Sequence, residues 1–189
     1  MANVLNITTK QYLECVNTPD YDPTVWIINP DLSAVSGVDQ MYWYINTDLT
    51  VTPMTTDQIN AAYLTTTIAA KQSAVTDCLN NTIFQNGFTY SGHLFDCNIQ
   101  AQQNVTAMVT ACSGLTTYPS GFAWRTKTNS FMSLPTLTSL VAFGMTMMNY
   151  VEECYAASWY IKDAIGTMTD VATINAYDIT SGWPNPVIS

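Results

Sequence analysis

The chain is predicted to fold as an α+β protein. Helices are expected over about 56–85, 97–112, 136–167 and 169–177, two short β-hairpins over about 88–95 and 122–134, and an extended or β segment ahead of them. Three observations carry this prediction. From about 136 to 168 apolar residues recur at alternating steps of three and four, which is helical spacing. Two aromatic-rich runs, Phe88 to Phe95 and Phe122 to Leu134, each bracket turn formers. The first 53 residues are punctuated by Pro19, Pro23, Pro30, Gly37 and Pro53, which interrupt any long element.

Within that opening segment, Met41-Tyr42-Trp43-Tyr44-Ile45 predicts a short strand near 41–46, paired with one near 49–52. Trp26-Ile27-Ile28 reads as another strand or as an anchor on a neighbouring surface, because such a cluster is costly to leave in water. The remainder is expected to lie extended. Thr55 and Gln58 have capping-box spacing, so a helix should begin near 56 and stop at Asn86-Gly87. After the first hairpin, Asp96 is the expected cap of the middle helix, whose Val105, Met108, Val109 and Cys112 define one buried face.

Asn129 is expected in the turn of the second hairpin, and Pro135 at the start of the long helix. Along that helix Leu137, Leu140, Gly144, Met147, Val151, Cys154, Ser158, Ile161, Ile165 and Met168 form a heptad-like seam. The pattern fits packing within the chain or between copies, and Gly144 and Ser158 permit close helix approach. Thr169-Asp170 can start a last helix through Tyr177, and Gly182-Trp183-Pro184-Asn185-Pro186 reads as a rigid extended tail. Two parts are therefore expected: residues 1–53 as a docking segment and 54–189 as a helix-hairpin domain.

At 189 residues the chain can bury a substantial core. Hydrophobic residues make up 48% and charged residues only 10%, so neutral Thr, Ser, Asn and Gln must form much of the surface. Such a surface responds little to salt. Lys plus Arg number 5 against 14 Asp plus Glu, giving −9, a balance that disfavours nucleic acid as a partner. Cys15, Cys78, Cys97, Cys112 and Cys154 lack metal-site spacing and read as reduced core residues. No basic region followed by an apolar block opens the chain, and the apolar stretch Leu140–Val151 is too short to span a bilayer. A soluble protein made in the cytosol, without membrane insertion, is expected.

Several landmarks together resemble a family of tailed-bacteriophage virion proteins of uncharacterised activity, found at the ends of tail-fibre chains or encoded near tail genes. They run in order from Lys71, Phe84, Gly87-Phe88-Thr89-Tyr90, Phe95 and Gln102 to Trp124-Arg125-Thr126, Leu137 and Tyr150. They continue through Lys162, Ile165, Ala176-Tyr177-Asp178-Ile179 and Trp183-Pro184, so the resemblance covers roughly 56–186. The opening is separately similar to a phage-protein start, in Val16-Asn17-Thr18-Pro19-Asp20-Tyr21, Trp26 to Val35 and Tyr42-Trp43. The helices carry fewer charges than that family's pattern would suggest. The resemblance implies a virion protein made in the bacterial cytoplasm, with other virion proteins as partners, and brings no catalytic residue with it.

The residues themselves offer no convincing chemistry. His93 is the only histidine and reads as a turn residue, so a pair of histidines cannot form. Glu152 and Glu153 point in different directions around a helix, and Asp163 lies on the same solvated side. Asp20, Asp22, Asp31 and Asp39 lack calcium-loop spacing, and no Gly-x-Ser-x-Gly elbow or phosphate-binding glycine loop occurs. No catalytic, cofactor or metal residue is therefore assigned, and no cofactor is expected. The interaction candidates are Trp26, Ile27, Ile28, Tyr42, Trp43, Trp124 and Trp183. The function expected is a non-enzymatic tail-fibre or baseplate component that assembles through its N-terminal segment. A module that binds host-surface glycan and a capsid decoration protein are the alternatives. A homotrimer or another symmetric assembly is favoured over a monomer.

Overall fold

The computed structural model describes residues 2–185. It is α+β, with helices, short antiparallel hairpins and an N-terminal strand segment. The chain divides into two compact units, one up to Leu64 and the other from Thr65.

The first unit is more regular than the sequence suggested. Strands β1 (Ala2–Asn6), β2 (Tyr12–Val16) and β3 (Trp26–Ile28) form an antiparallel sheet in the order β2-β1-β3. Val4 faces Leu13 on one side and Ile28 on the other. The segment expected to be merely extended thus contains two further strands. Their signal is hidden because the register shifts between Ala2 and Val4 and because Cys15 has φ +57°, which together break the two-residue alternation. The β1–β2 turn is held by Asn6, whose side-chain oxygen accepts from the backbone N–H groups of Thr8 and Thr9 at 2.9 and 2.8 Å.

Beyond the sheet, β4 (Trp43–Ile45) pairs with β5 (Val51–Pro53), close to the expected hairpin. The strand starts at Trp43 because a 3-10 turn, Gln40–Tyr42, occupies the preceding residues and is capped by Asp39. The core of this unit is small. Leu5, Val35 and Val51 are buried, with Tyr12, Ile27, Leu32, Val38, Trp43 and Ile45 packed around them.

Helix α1 (Thr56–Cys78) begins with the expected capping box: Thr55 N–H donates to Gln58 Oε1 at 2.8 Å and Gln58 N–H to Thr55 Oγ1 at 3.2 Å. It continues through a π turn, Leu79–Ile83, into α2 (Phe84–Asn86). Gly87 then ends the helical run at φ +87°. Glycine is required there, since a Cβ would lie 2.2 Å from the Phe95 carbonyl oxygen.

Hairpin β6 (Phe88–Tyr90) and β7 (His93–Phe95) turns at Ser91-Gly92, both with positive φ, as a tight two-residue loop demands. His93 opens β7 and is exposed. Helix α3 (Ile99–Ser113) is capped by Asn98, whose side chain accepts from Ala101 N–H at 3.0 Å. Asp96, the expected cap, instead lies 4.0 Å from Lys127. The chain stays outside the helix until Asn98, with buried Cys97 preceding it, so the cap falls two residues later than predicted.

The second hairpin, β8 (Ala123–Arg125) and β9 (Phe131–Ser133), has Asn129 in its turn at φ +65°. Lys127 N–H donates to the Leu94 carbonyl at 2.8 Å and ties the two hairpins together. Helix α4 (Leu137–Gly166) starts after a reciprocal cap between Thr136 and Ser139, so Pro135 precedes the cap. Helix α5 (Val171–Ala176) is capped by Asp170. Of the predicted tail, Pro186 lies outside the described residues.

The second core forms where hairpin β6–β7 and α3 meet α4. Phe143 lies 5.5 Å from Phe88, 4.9 Å from Phe95 and 5.6 Å from Trp124, centroid to centroid. Burying side chains of this size stabilises by roughly 1.5–3 kcal/mol each. The seam residues Leu140, Gly144, Met147, Val151, Cys154, Ser158, Ile161 and Ile165 are all buried within the chain. Gly144 lets α3 approach, because a Cβ there would already lie 3.2 Å from Val109 Cγ2.

Candidate functional site

The interaction candidates fall in both units. In the first, Trp26, Ile27 and Ile28 form β3, the outer strand of the three-stranded sheet, and all three side chains are half-buried. Trp26 packs edge-on against Tyr21 at 5.0 Å, and Ile27 joins the small core. Register fixes which backbone groups face outward. Asn29 N–H donates to the Asn3 carbonyl and Ile7 N–H to the Val25 carbonyl, so the alternation of an antiparallel ladder turns the Ile28 N–H away from β1.

Trp43 is engaged internally: its Nε1–H donates to the Val38 carbonyl at 2.9 Å and its ring meets Tyr12 edge-on at 6.3 Å. Tyr42 is half-buried against Tyr63, with ring centroids 6.0 Å apart. Nearby, Thr8, Thr9, Lys10, Gln40, Met41 and Tyr63 line a shallow cleft of 440 Å³. Lys10 Nζ donates to the Met41 carbonyl at 3.4 Å, and partial burial lowers its pKa from the ordinary value. The cleft thus offers one ammonium and neutral hydroxyl and amide groups.

In the second unit, Trp124 and Trp183 turn toward the core. Trp124 packs on Phe122 and Phe143, and Trp183 donates from Nε1 to the Ile179 carbonyl at 2.9 Å. The sequence reading missed the aromatics that stand out in water, Trp159 at 62% and Tyr160 at 75% exposure. Trp159 could have been found from its position one residue outside the heptad seam.

The ionisable groups with the largest shifts are buried ones. Burial pushes the Cys97 thiol up to about 12 and the Cys154 thiol up to about 11. Tyr150 is likewise raised by burial and by its neighbour Cys154. A thiol held protonated is a poor nucleophile, and all three side chains are buried in the core of the second unit. Glu152, Glu153 and His93 are all exposed. Among the described residues no group of three His, Cys, Asp or Glu side chains is placed to hold a metal ion. No helix among them is long and apolar enough to cross a membrane.

The fold defines an α+β protein of helices and short antiparallel hairpins. The chain belongs to the family described as a domain of unknown function, DUF4376, whose model matches residues 69–181. That stretch runs from α1 through both hairpins, α3 and α4 to beyond α5. No curated protein and no solved structure matches the chain.

Proposed function

We propose that this chain is a non-enzymatic structural protein of a tailed-bacteriophage virion, placed in the tail fibre or baseplate region. It is made in the bacterial cytoplasm and assembles with other virion proteins through its N-terminal segment. The observation that carries the docking role is the outer strand β3, where Trp26-Ile27-Ile28 combine half-buried apolar side chains with an outward-facing ladder edge. An edge of this kind can accept a strand from a neighbour, with main-chain hydrogen bonds for affinity and side-chain pockets for specificity. The phage assignment rests on the resemblance in Val16 to Val35 and Tyr42-Trp43, and over 56–186. Inward packing of Trp124 and Trp183 favours docking over the alternative in which these residues present a platform to host glycan.

The test compares particles of the encoding phage carrying the wild-type chain, the Ile28→Pro variant and a deletion of residues 1–53. Ile28→Pro removes the outward N–H while leaving the bonds to β1 in place. The expected result is a folded variant that no longer copurifies with particles, and loss of the deleted chain as well. Normal incorporation of both altered chains would overturn the docking role, and absence of the wild-type chain from purified particles would overturn the virion reading itself.

A further inference from the structure

Helix α4 carries a second apolar stripe beside the one it buries. Val141, Met145, Met148, Tyr155 and Trp159 are exposed large hydrophobics. With Glu152 between them, their positions advance by 4, 3, 4, 3 and 4 residues, the step pattern of a left-handed coiled-coil seam. Isolated exposed hydrophobics are ordinary, whereas a run that keeps this rhythm over some 18 residues presents a continuous face for another helix. Beside it, Val105, Thr106, Val109 and Thr110 of α3 and Gly144 of α4 complete an apolar groove of 220 Å³.

We infer that a second copy of this chain packs along this stripe, its α4 running antiparallel to the first, with Val141 opposite Trp159 and Met145 opposite Tyr155. Size complementarity favours this occupant. Pairing residues in this way places the smallest side chain of the stripe against the largest, and a flexible thioether against an aromatic ring, a favourable contact for sulfur. Charge fixes the direction. A parallel pair would set each Glu152 carboxylate against its own copy, in a protein that already carries −9. The antiparallel pair sets Glu152 against Met148 instead.

The area is adequate. At the size of such side chains the stripe leaves roughly 500 Å² in water. The rim of the groove, Thr106, Val109 and Thr110 of α3, extends it toward the approximately 800 Å² per partner of a standard interface. The contact is isologous: the same patch serves both copies, so the pair closes on itself.

The full chain is tested by sedimentation equilibrium, alone and as the double variant M145E/W159E. Both positions are exposed, so circular dichroism of the variant should match the wild type. The expected result is a wild-type dimer and a variant whose dissociation constant rises by about 30-fold or more. Orientation is read by disulfide crosslinking in a Cys15→Ser background, with Val141→Cys and Trp159→Cys on separate chains. The mixed pair should crosslink faster than either variant with itself. A monomeric wild type, a dimer indifferent to both glutamates, or preferential self-crosslinking of the Val141→Cys chain would each overturn the proposal. None of these outcomes bears on incorporation into particles, so the virion reading stands or falls separately.

Discussion

The two units of this chain are held by different means. The second unit buries a cluster of aromatic rings, Phe88, Phe95, Phe143 and Tyr150, beneath a long helix. The first buries only Leu5, Val35 and Val51 outright and relies on short polar loops. In those loops one carboxylate repeatedly accepts from a residue two positions on: Asp22 from Thr24 N–H at 2.8 Å, Asp31 from Ser33 at 2.9 Å, and Asp48 from Thr50 at 3.1 Å. The first unit also holds Lys10, Cys15 and Leu49 at positive φ, each at a cost of about 1–2 kcal/mol. A small unit can therefore be well ordered locally while having little buried area to resist unfolding, and the larger one should outlast it.

The sharpest way to break this contrast is to remove one side chain from each core. Phe143→Ala should cost about 3–5 kcal/mol, because Phe143 is fully buried and touches four other rings. Leu5→Ala should cost about 3 kcal/mol, but confined to the first unit. Denaturant unfolding followed by amide exchange in each unit checks both, and uniform loss of protection in either variant would show that the two units unfold as one.

A smaller effect is expected at the helix–hairpin junction. Gly87→Ala should cost about 1–3 kcal/mol, since it adds strained backbone to a clash with the Phe95 carbonyl. Gly37→Ala has a comparable φ, +77°, but open space, so it should lie at the low end of that range. Equal thermal shifts for the two would mean that the hairpin yields freely. Smaller still, Asn98→Ala should cost about 1 kcal/mol through the lost cap of α3. Asp96→Ala should cost under about 0.5 kcal/mol, because its contact with Lys127 is exposed and 4.0 Å long. The reverse order would return the cap to Asp96.

Acid should act mainly on the first unit. Hydrogen bonds from Thr24, Ser33 and Thr50 lower the pKa values of Asp22, Asp31 and Asp48 below the ordinary 3.8. A depressed folded-state pKa contributes stability that is complete above 3.8 and is lost as pH falls through the folded values. Asp178 is the corresponding group in the second unit, held down chiefly by Thr180. Thermal melting across this range should show a small acid-side decline that the triple variant D22N/D31N/D48N flattens. An unchanged decline in that variant would assign it to other carboxylates.

Much of the helical architecture was legible because burial on a helix leaves a periodic trace. The seam from Leu140 to Ile165 is the buried face of α4. Phe143 and Tyr150 are buried there too but escaped a one-stripe reading, since hairpin β6–β7 and α3 together cover a wider arc than two positions per heptad. Strands β1 and β2 left little trace, their alternation broken by a register shift and by a left-handed residue. The cap at Asn98 could not be told from Asp96 by type, since both are good caps. Of the interaction candidates, residue type identified aromatic anchors but not their direction, which is set by contacts distant in sequence such as Trp124 with Phe143.

The π turn at Leu79–Ile83 has a consequence for how the chain leaves its first long helix. One extra residue is wound into a single turn there, and each residue of a regular helix advances the side chains by about 100°. Without that insertion Ile83 would occupy the bearing now held by Phe84, and Phe84 would swing away from the Tyr155 ring it meets at 5.6 Å. The turn is thus a phase correction, setting the heading at which Gly87 delivers the chain into the aromatic core.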